Sequence, residues 1–185
     1  VTTNKLSLYV NRSSGTRLNG TVNVITRDIR ATNGVIHIVD GVINLPTITT
    51  HLNANPSLST LVLQLNRGGG QPDFASILNG AGPFTVFAPT NDAFSASSTE
   101  LAGLNPGNIS DVLRYHVVPA KVLSGAITDG QIVPTTLLPQ TFRVNTTNGL
   151  KITDARSRIT DIGTVDIEAT NGVIHAVNRV LLPTL

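Results

Sequence analysis

The chain has 185 residues and a formal net charge of +2, with charged side chains at 13% of positions, so it can form one large domain or one domain plus a fragment. Hydrophobic residues make up 40% and aromatic ones 4%, and Cys, Met and Trp are absent, so a core must consist mainly of Val, Ile, Leu and Ala. The scattered basic residues argue against nucleic-acid binding, the lack of Cys excludes disulfides and thiolate chemistry, and no stretch nears the roughly 20 apolar residues that span a bilayer.

The N-terminal part of the chain predicts strands. In KLSLYVN, apolar and polar residues alternate, which places Leu6, Leu8 and Val10 on one face, and TVNVITRDI continues the extended pattern. Residues 1–46 contain strands alone, and a piece this short buries little surface by itself. We therefore expect its apolar faces to pair with the sheet edge of another molecule or with the neighbouring domain.

One heptapeptide occurs twice. ATNGVIH occupies residues 31–37 and returns, letter for letter, at 169–175. Asn-Gly between β-branched residues predicts a hairpin with a type I′ turn, at Asn33-Gly34 and again at Asn171-Gly172. The repeat indicates two copies of one folding unit, each of which ends with this element.

The region after the first copy predicts helices. Ser57 is expected to cap a helix that ends at the glycines of 67–70, and Asp73 to cap a shorter one stopped at Gly80. The apolar stripe of the first helix has the i, i+3, i+4, i+7 spacing of Leu58, Leu61, Val62 and Leu65. PFTVFAP is a predicted strand, and the next two helices are expected to begin at Thr90 or Asn91 and at Asn108 or Ser110.

The last third of the chain predicts almost continuous strand, from Gln131 onward. Helices first and strands later indicate an α+β fold. The chain therefore divides into residues 1–46, the strand portion of a preceding unit, and residues 47–185, a complete unit.

Three segments occur in this order: TVFAPTNDAF, LRYHVVPAKVLSG and ATNGVIHAVNRVLLP. Together they resemble the fasciclin-domain family. The resemblance implies a wedge-shaped β-sandwich with helices packed against it, domains in tandem, and a secreted or surface-anchored protein. It also implies cell adhesion through a surface or matrix protein or a glycan, with no enzymatic activity and no cofactor.

The resemblance also implies candidate adhesion contacts. They are Tyr115, His116, Asp166, Ile167, Asp28 and Ile29. The residue after Asp-Ile is Arg30 in the first copy and Glu168 in the second, so the copies need not share a partner.

The residues themselves leave two interpretations open for these positions. His116 continues a helical apolar stripe, which favours a hydrogen-bonded structural imidazole, with a contact role as the alternative. Tyr115 is expected to present an exposed hydroxyl. The Asp-Ile pairs favour a turn-stabilising Asp followed by a core Ile, with presentation to a partner as the alternative. His37 and His175 recur at matching positions, which suits a fold requirement.

No catalytic or metal-binding pattern accompanies these positions. The chain has no Gly-x-Ser-x-Gly motif and no phosphate-binding loop, and no two histidines stand three or four residues apart. We therefore expect an adhesion or interaction module, and we keep open a binding module for a small apolar or carbohydrate ligand in a pocket between helices and sheet. Self-association through residues 1–46 is a further expectation.

Overall fold

The computed structural model describes residues 5–66 and 74–185. In these residues the helices precede most strands of the second unit, which confirms the α+β prediction. The helices are α1 Ile48–Ala54, α2 Ser59–Leu65, α3 Phe74–Leu78, α4 Asn91–Ala96, α5 Ser98–Leu101 and α6 Pro106–Tyr115. The strands are β1 Val10–Asn11, β2 Arg17–Leu18, β3 Val22–Ala31, β4 Gly34–Val39, β5 Phe84–Pro89, β6 Val117–Val118, β7 Ile132–Pro134, β8 Thr141–Asn145, β9 Lys151–Thr153, β10 Ile159–Asp161, β11 Ile167–Ala169 and β12 Gly172–Val177.

The described strands form three four-stranded sheets, in the orders β1-β2-β3-β4, β10-β9-β8-β7 and β11-β12-β5-β6. In the last of these, β12 pairs with β5 in parallel, and the other neighbours are antiparallel. Side chains alternate across a strand. Val86 and Ala88 of β5 therefore join a core cluster that contains residues of α1, α2 and α3, while Phe87 points to the cluster shared with β7, β8 and β9.

Several helix starts follow the sequence rules and others do not. Thr90 caps α4 as predicted, because its Oγ1 accepts a hydrogen bond from Ala93 N at 3.2 Å. Ser57 was the wrong cap: Asn55 Oδ1 accepts from Ser57 N and opens a short 3₁₀ turn before α2. The start predicted for α6 was also late, since Asn105 caps it with Pro at the first helical position. The expected cap at Asp73 and the glycines of 67–70 lie outside the described residues.

The N-terminal part of the chain contacts the rest of the protein at a few positions near its start. Ser7 N donates to Glu168 O at 3.0 Å, and Tyr9 Oη donates to Asn55 Oδ1 at 3.1 Å. At Gly20 the backbone lies so close to α1 that an added Cβ would be 3.0 Å from the Cα of Ala54. Residues near the start of the chain therefore contact the end of α1 and β11, whereas the apolar side chains Ile29, Ile36 and Ile38 of β3 and β4 remain exposed.

The two copies of the heptapeptide form matching hairpins, but the predicted turn type is wrong. Ala31 pairs with Gly34, and Ala169 with Gly172, so the two-residue loops are Thr-Asn and the glycines already belong to the strands. Neither Asn33 nor Asn171 has the positive φ that a type I′ turn requires. The left-handed residues lie three positions upstream of each Ala, at Asp28 and Asp166, with φ of 62° and 57°.

The two hairpins differ in how deeply they are buried. Every residue of 31–37 is exposed, whereas six of the seven in 169–175 are buried. The side chain of Asn171 is the centre of this difference: its Oδ1 accepts from Ile48 N at 2.9 Å, and its Nδ2 donates to Leu78 O at 2.7 Å and Gly80 O at 3.0 Å. One amide thus ties the second hairpin to α1 and to the end of α3.

A buried ion pair fastens the C-terminal segment. Asp154 Oδ2 accepts from Arg158 Nη2 at 2.8 Å and from Leu182 N at 3.0 Å, and the Asp154 side chain is fully buried. Arg158 Nη2 also donates to Val180 O at 2.6 Å. The two opposite charges compensate each other in the interior, and their hydrogen bonds to Val180 O and Leu182 N hold residues 180–182 in place.

Candidate functional site

Tyr115, at the end of α6, lies inside the protein. Its exposed fraction is 0%. The hydroxyl donates to Thr141 O at 2.7 Å and accepts from Ala155 N at 3.0 Å, and burial raises its pKa to about 12. The expectation of an exposed hydroxyl was wrong, because the ring packs edge-on against Phe142 in the strand-side core.

His116 is also buried, with 2% of its surface exposed. Nδ1 lies 2.7 Å from Val112 O, and Nε2 accepts from Leu181 N at 2.9 Å, so Nδ1 carries the hydrogen. Burial lowers its pKa to about 4, which keeps the imidazole neutral. These contacts support the structural interpretation, in which the ring joins α6 to the C-terminal segment.

The second Asp-Ile pair is held by distant residues. Asp166 N donates to His175 Nδ1 at 3.2 Å, while its carboxylate accepts from Ser124 N at 2.8 Å and from Ser124 Oγ. His175 Nε2 in turn donates to Val122 O at 2.9 Å. Burial acts to raise the pKa of Asp166, but the bonds from Ser124 outweigh it and hold that pKa below its ordinary value. Ile167 is half-buried against the helix-side core.

The first Asp-Ile pair has the same backbone conformation as the second, but its side chains are not buried by other parts of the protein. Asp28 N donates to His37 Nδ1 at 3.2 Å, as in the second hairpin, but both side chains are exposed. The strand registers also agree, since Ile29 pairs with Ile36 as Ile167 pairs with Ile174. The structure therefore brings Asp28 and Ile29 to the surface, and it places Tyr115 and His116 in the interior.

Three isoleucines form an exposed row on the β3–β4 hairpin. Ile29, Ile36 and Ile38 share one side of the β3–β4 hairpin, with exposed fractions of 38%, 54% and 45%, and we call them the isoleucine face. Ile174, which matches Ile36, is 0% exposed because it belongs to the helix-side core. Contiguous exposed apolar side chains of this kind mark interaction sites in soluble proteins.

Sequence reasoning missed Ser124, Asn171 and Asp154, which do most of the polar fastening. Ser124 and Asn171 bond to residues 42 or more positions away, so nothing near them in the chain signals their role. Asp154 has a distant partner in Leu182 N, but it also pairs with Arg158, four residues on, and that Asp-x-x-x-Arg spacing was a signal in the sequence. The Asp-Ile repeat was a usable signal, since both copies adopt the same rare backbone conformation.

A cavity beside α4, α5 and α6 has a volume of about 110 Å³ and is lined in part by Phe94, Ile109 and His116. Pockets for small ligands usually measure a few hundred Å³, so this one gives little support to a ligand-binding module. Across the described ranges, no three His, Asp or Glu side chains come together in a way that could hold a metal ion. In the same ranges, no helix has the length and apolar character needed to cross a membrane.

Comparison with known proteins gives a consistent result. The model of the family described as "Fasciclin domain" matches residues 1–46 and 56–183. Protein sll1483 of Synechocystis sp. is 35% identical over 144 residues, which cover 75% of this chain and 74% of that protein. Transforming growth factor-beta-induced protein ig-h3 of Sus scrofa is 28% identical, over 86% of this chain and 23% of the relative. Periostin of Homo sapiens is 28% identical, over 97% of this chain and 21% of the relative.

A solved structure has the same fold. It is described as a FAS1 domain pair from the insect cell adhesion molecule fasciclin I, and it superposes with a TM-score of 0.62 at 21% identity. The match covers 95% of this chain and 66% of that one.

Proposed function

This chain belongs to the fasciclin domain family, and we propose that it is an adhesion module that acts at the cell surface or in the extracellular space. It holds a surface protein, a matrix protein or a glycan by contact and performs no chemical turnover. The name of the structural neighbour supports this, since that protein is a cell adhesion molecule. The chemistry of the interior supports it too, because His116, Asp166 and His175 are all occupied by hydrogen bonds within the fold.

The domain organisation that fits this function is one and a third units. Residues 1–46 form the closing part of a preceding fasciclin domain, and residues 47–185 form a complete one. Support comes from the identical registers and from the Asp N to His Nδ1 bond, which is 3.2 Å long in both hairpins. A swapped side-chain pair supports it as well: Asn23 bonds to Asp40 in the first hairpin, and Asp161 bonds to Asn178 at the matching positions.

The observation that carries the proposal is the match to the fasciclin domain family, together with a structural neighbour that is a cell adhesion molecule. Within this 185-residue chain the isoleucine face is the candidate contact surface: its matching residues build a core in the second unit, whereas here they face solvent. An exposed apolar row of this kind offers burial energy to a partner. We assign the adhesion contact of this chain to this face, and we assign Tyr115 and His116 to the fold that supports it.

A retention experiment tests the proposal. The chain is immobilised and exposed to extracellular-matrix fractions and to a glycan array, and the retained material is quantified for the parent, Ile36→Ser and Leu138→Ser. Leu138 is 76% exposed and lies outside the isoleucine face, so it is the matched control. We expect Ile36→Ser to reduce retention about fivefold or more, since interface anchors contribute more than about 1 kcal/mol, and Leu138→Ser to match the parent.

Equal retention by Ile36→Ser and the parent, or no retention by the parent, would refute the assignment. Light scattering over a range of concentrations tests self-association through the same residues. A dimer that Ile36→Ser disperses would identify a second copy of the chain as the partner.

A further inference from the structure

One buried histidine has an unpaired ring nitrogen at a place where two parts of the chain meet. His51, in the last turn of α1, is 2% exposed. Its Nε2 lies 3.3 Å from Glu168 O, and a carbonyl oxygen only accepts, so the neutral ring carries its hydrogen on Nε2 and leaves Nδ1 as a bare acceptor. Among residues 5–66 and 74–185, no group forms a hydrogen bond with Nδ1.

The other buried histidines do not have this feature. Both ring nitrogens of His116 have partners, and so do both ring nitrogens of His175. Buried polar atoms in native proteins are nearly always paired, so the unpaired Nδ1 of His51 needs an explanation.

The carbonyl that His51 contacts also holds the N-terminal segment, residues 5–20. Glu168 O accepts from Ser7 N at 3.0 Å, and Glu168 N donates to Ser7 Oγ at 2.9 Å. One helical turn beyond His51, Asn55 Oδ1 accepts from Tyr9 Oη at 3.1 Å. The imidazole and the N-terminal segment therefore share one acceptor, at the junction where this segment docks on α1 and β11.

The surroundings of the ring favour its neutral form. The ionisable side chains on the N-terminal segment near the junction and on the strands that contact α1 are Lys5, Tyr9, Glu168 and His175. The Glu168 carboxylate already has a cation, because Lys121 Nζ lies 2.6 Å from it. Burial lowers the pKa of His51 below its ordinary value, and the bond to Glu168 O opposes this only in part.

Protonation therefore conflicts with the docked arrangement. It adds a charge to a buried ring and an N–H at Nδ1, where the described residues provide no acceptor. A buried donor without a partner is unfavourable, and water satisfies it once the ring becomes exposed. Release of the N-terminal segment also frees Glu168 O from Ser7, which leaves that carbonyl to the charged ring and to water.

We propose that His51 is a pH-sensitive switch, which keeps residues 5–20 docked on α1 and β11 while it is neutral and releases them when it is protonated. The direction follows from linkage. The docked state has the lowered pKa and the released state has the ordinary one of 6.5, so docking weakens as the pH falls through that value. In acidified surroundings the N-terminal segment thus becomes free to move relative to the rest of the adhesion module.

Hydrogen exchange of single amides, measured by NMR on the full 185-residue chain, tests the switch. The Ser7 amide reports docking, because its acceptor is Glu168 O. After correction for the intrinsic exchange rate, its protection should fall about tenfold between about pH 7 and 5.5, the factor by which a histidine of ordinary pKa gains protons. In His51→Gln, whose amide also donates but does not titrate, the protection should be equal at the two pH values.

Two controls separate this release from other effects of acid. The Phe87 amide donates to His116 O at 2.9 Å in the interior, and its protection should not fall in parallel with that of Ser7. His37→Gln removes an exposed histidine away from the junction and should keep the pH dependence of the parent.

Three results would overturn the inference: protection of Ser7 that does not change with pH in the parent, an equal fall in His51→Gln, or a parallel fall at Phe87. An unprotected Ser7 amide at about pH 7 would overturn it as well, because the segment would then not be docked. No binding partner enters these measurements, so their failure is distinguishable from a failure of the adhesion proposal in the retention experiment.

Discussion

Substitution of the equivalent residues Asn33 and Asn171 tests whether burial, and not the local sequence, determines how much each hairpin contributes to stability. Asn171→Ala removes three hydrogen bonds, to Ile48 N, Leu78 O and Gly80 O, and leaves the first N–H of α1 without a partner inside the protein. At a net value of about 1 kcal/mol for each of the three bonds, we expect a loss of about 3 kcal/mol in the free energy of unfolding. Asn33→Ala alters an exposed side chain, so the expected change is within about 0.5 kcal/mol.

The measurement is urea unfolding followed by circular dichroism, with thermal unfolding as a second reading. For a chain of this size, the expected loss in Asn171→Ala corresponds to a fall in Tm of about 6–12 °C. Asn171→Asp separates the contributions, since it keeps the acceptor for Ile48 N but loses both donors and sets a negative charge against two carbonyls. Equal destabilisation by Asn33→Ala and Asn171→Ala would refute the reasoning, because the seven-residue sequence alone would then determine the effect.

Three further outcomes follow from the same structure. Asp154→Ala should cost about 3 kcal/mol in urea unfolding, because it removes the buried carboxylate that accepts from Arg158 and from Leu182 N and leaves Arg158 with Glu100 as its remaining carboxylate partner. Asp111→Ala, which breaks a surface pair of 3.9 Å, should cost less than about 1 kcal/mol, and similar losses in the two variants would contradict this. Burial lowers the pKa of His116 to about 4, so as the pH falls the unfolded chain binds a proton at this histidine before the folded chain does. The free energy of unfolding should therefore fall by about 3 kcal/mol between pH 6.5 and 4. In His116→Gln the free energy of unfolding should depend less steeply on pH. Urea unfolding at several pH values measures this dependence, and an unchanged dependence would mean that other groups cause it. Gly172→Ala would place a Cβ 2.0 Å from Phe84 O and should lower Tm by several degrees, whereas Gly34→Ala meets nothing within 4 Å and should leave Tm nearly unchanged.

The sequence was sufficient wherever the cause of a structure is local. Thr90 caps α4 with its own side chain, and Phe84–Pro89 forms a strand from a run that is apolar except for Thr85. The α+β order and the equivalence of the two hairpins also follow from the order of the elements and from the repeat. The errors were local too: Asn55 and Asn105 precede prolines and out-compete the caps predicted downstream.

Tertiary structure alone decided what each hairpin does. ATNGVIH has the same intrinsic preferences at both places, and it adopts the same strand register in both. In the second unit α1, the end of α3 and the segment that contains Val122 and Ser124 supply partners for its amide, its imidazole and the adjoining carboxylate, so these groups are satisfied within the fold. In the first unit the groups are exposed, and the candidate contacts Asp28 and Ile29 are at the surface. Burial and hydrogen-bond satisfaction depend on residues far away in the chain, so seven identical letters can form a core in one place and a surface in another.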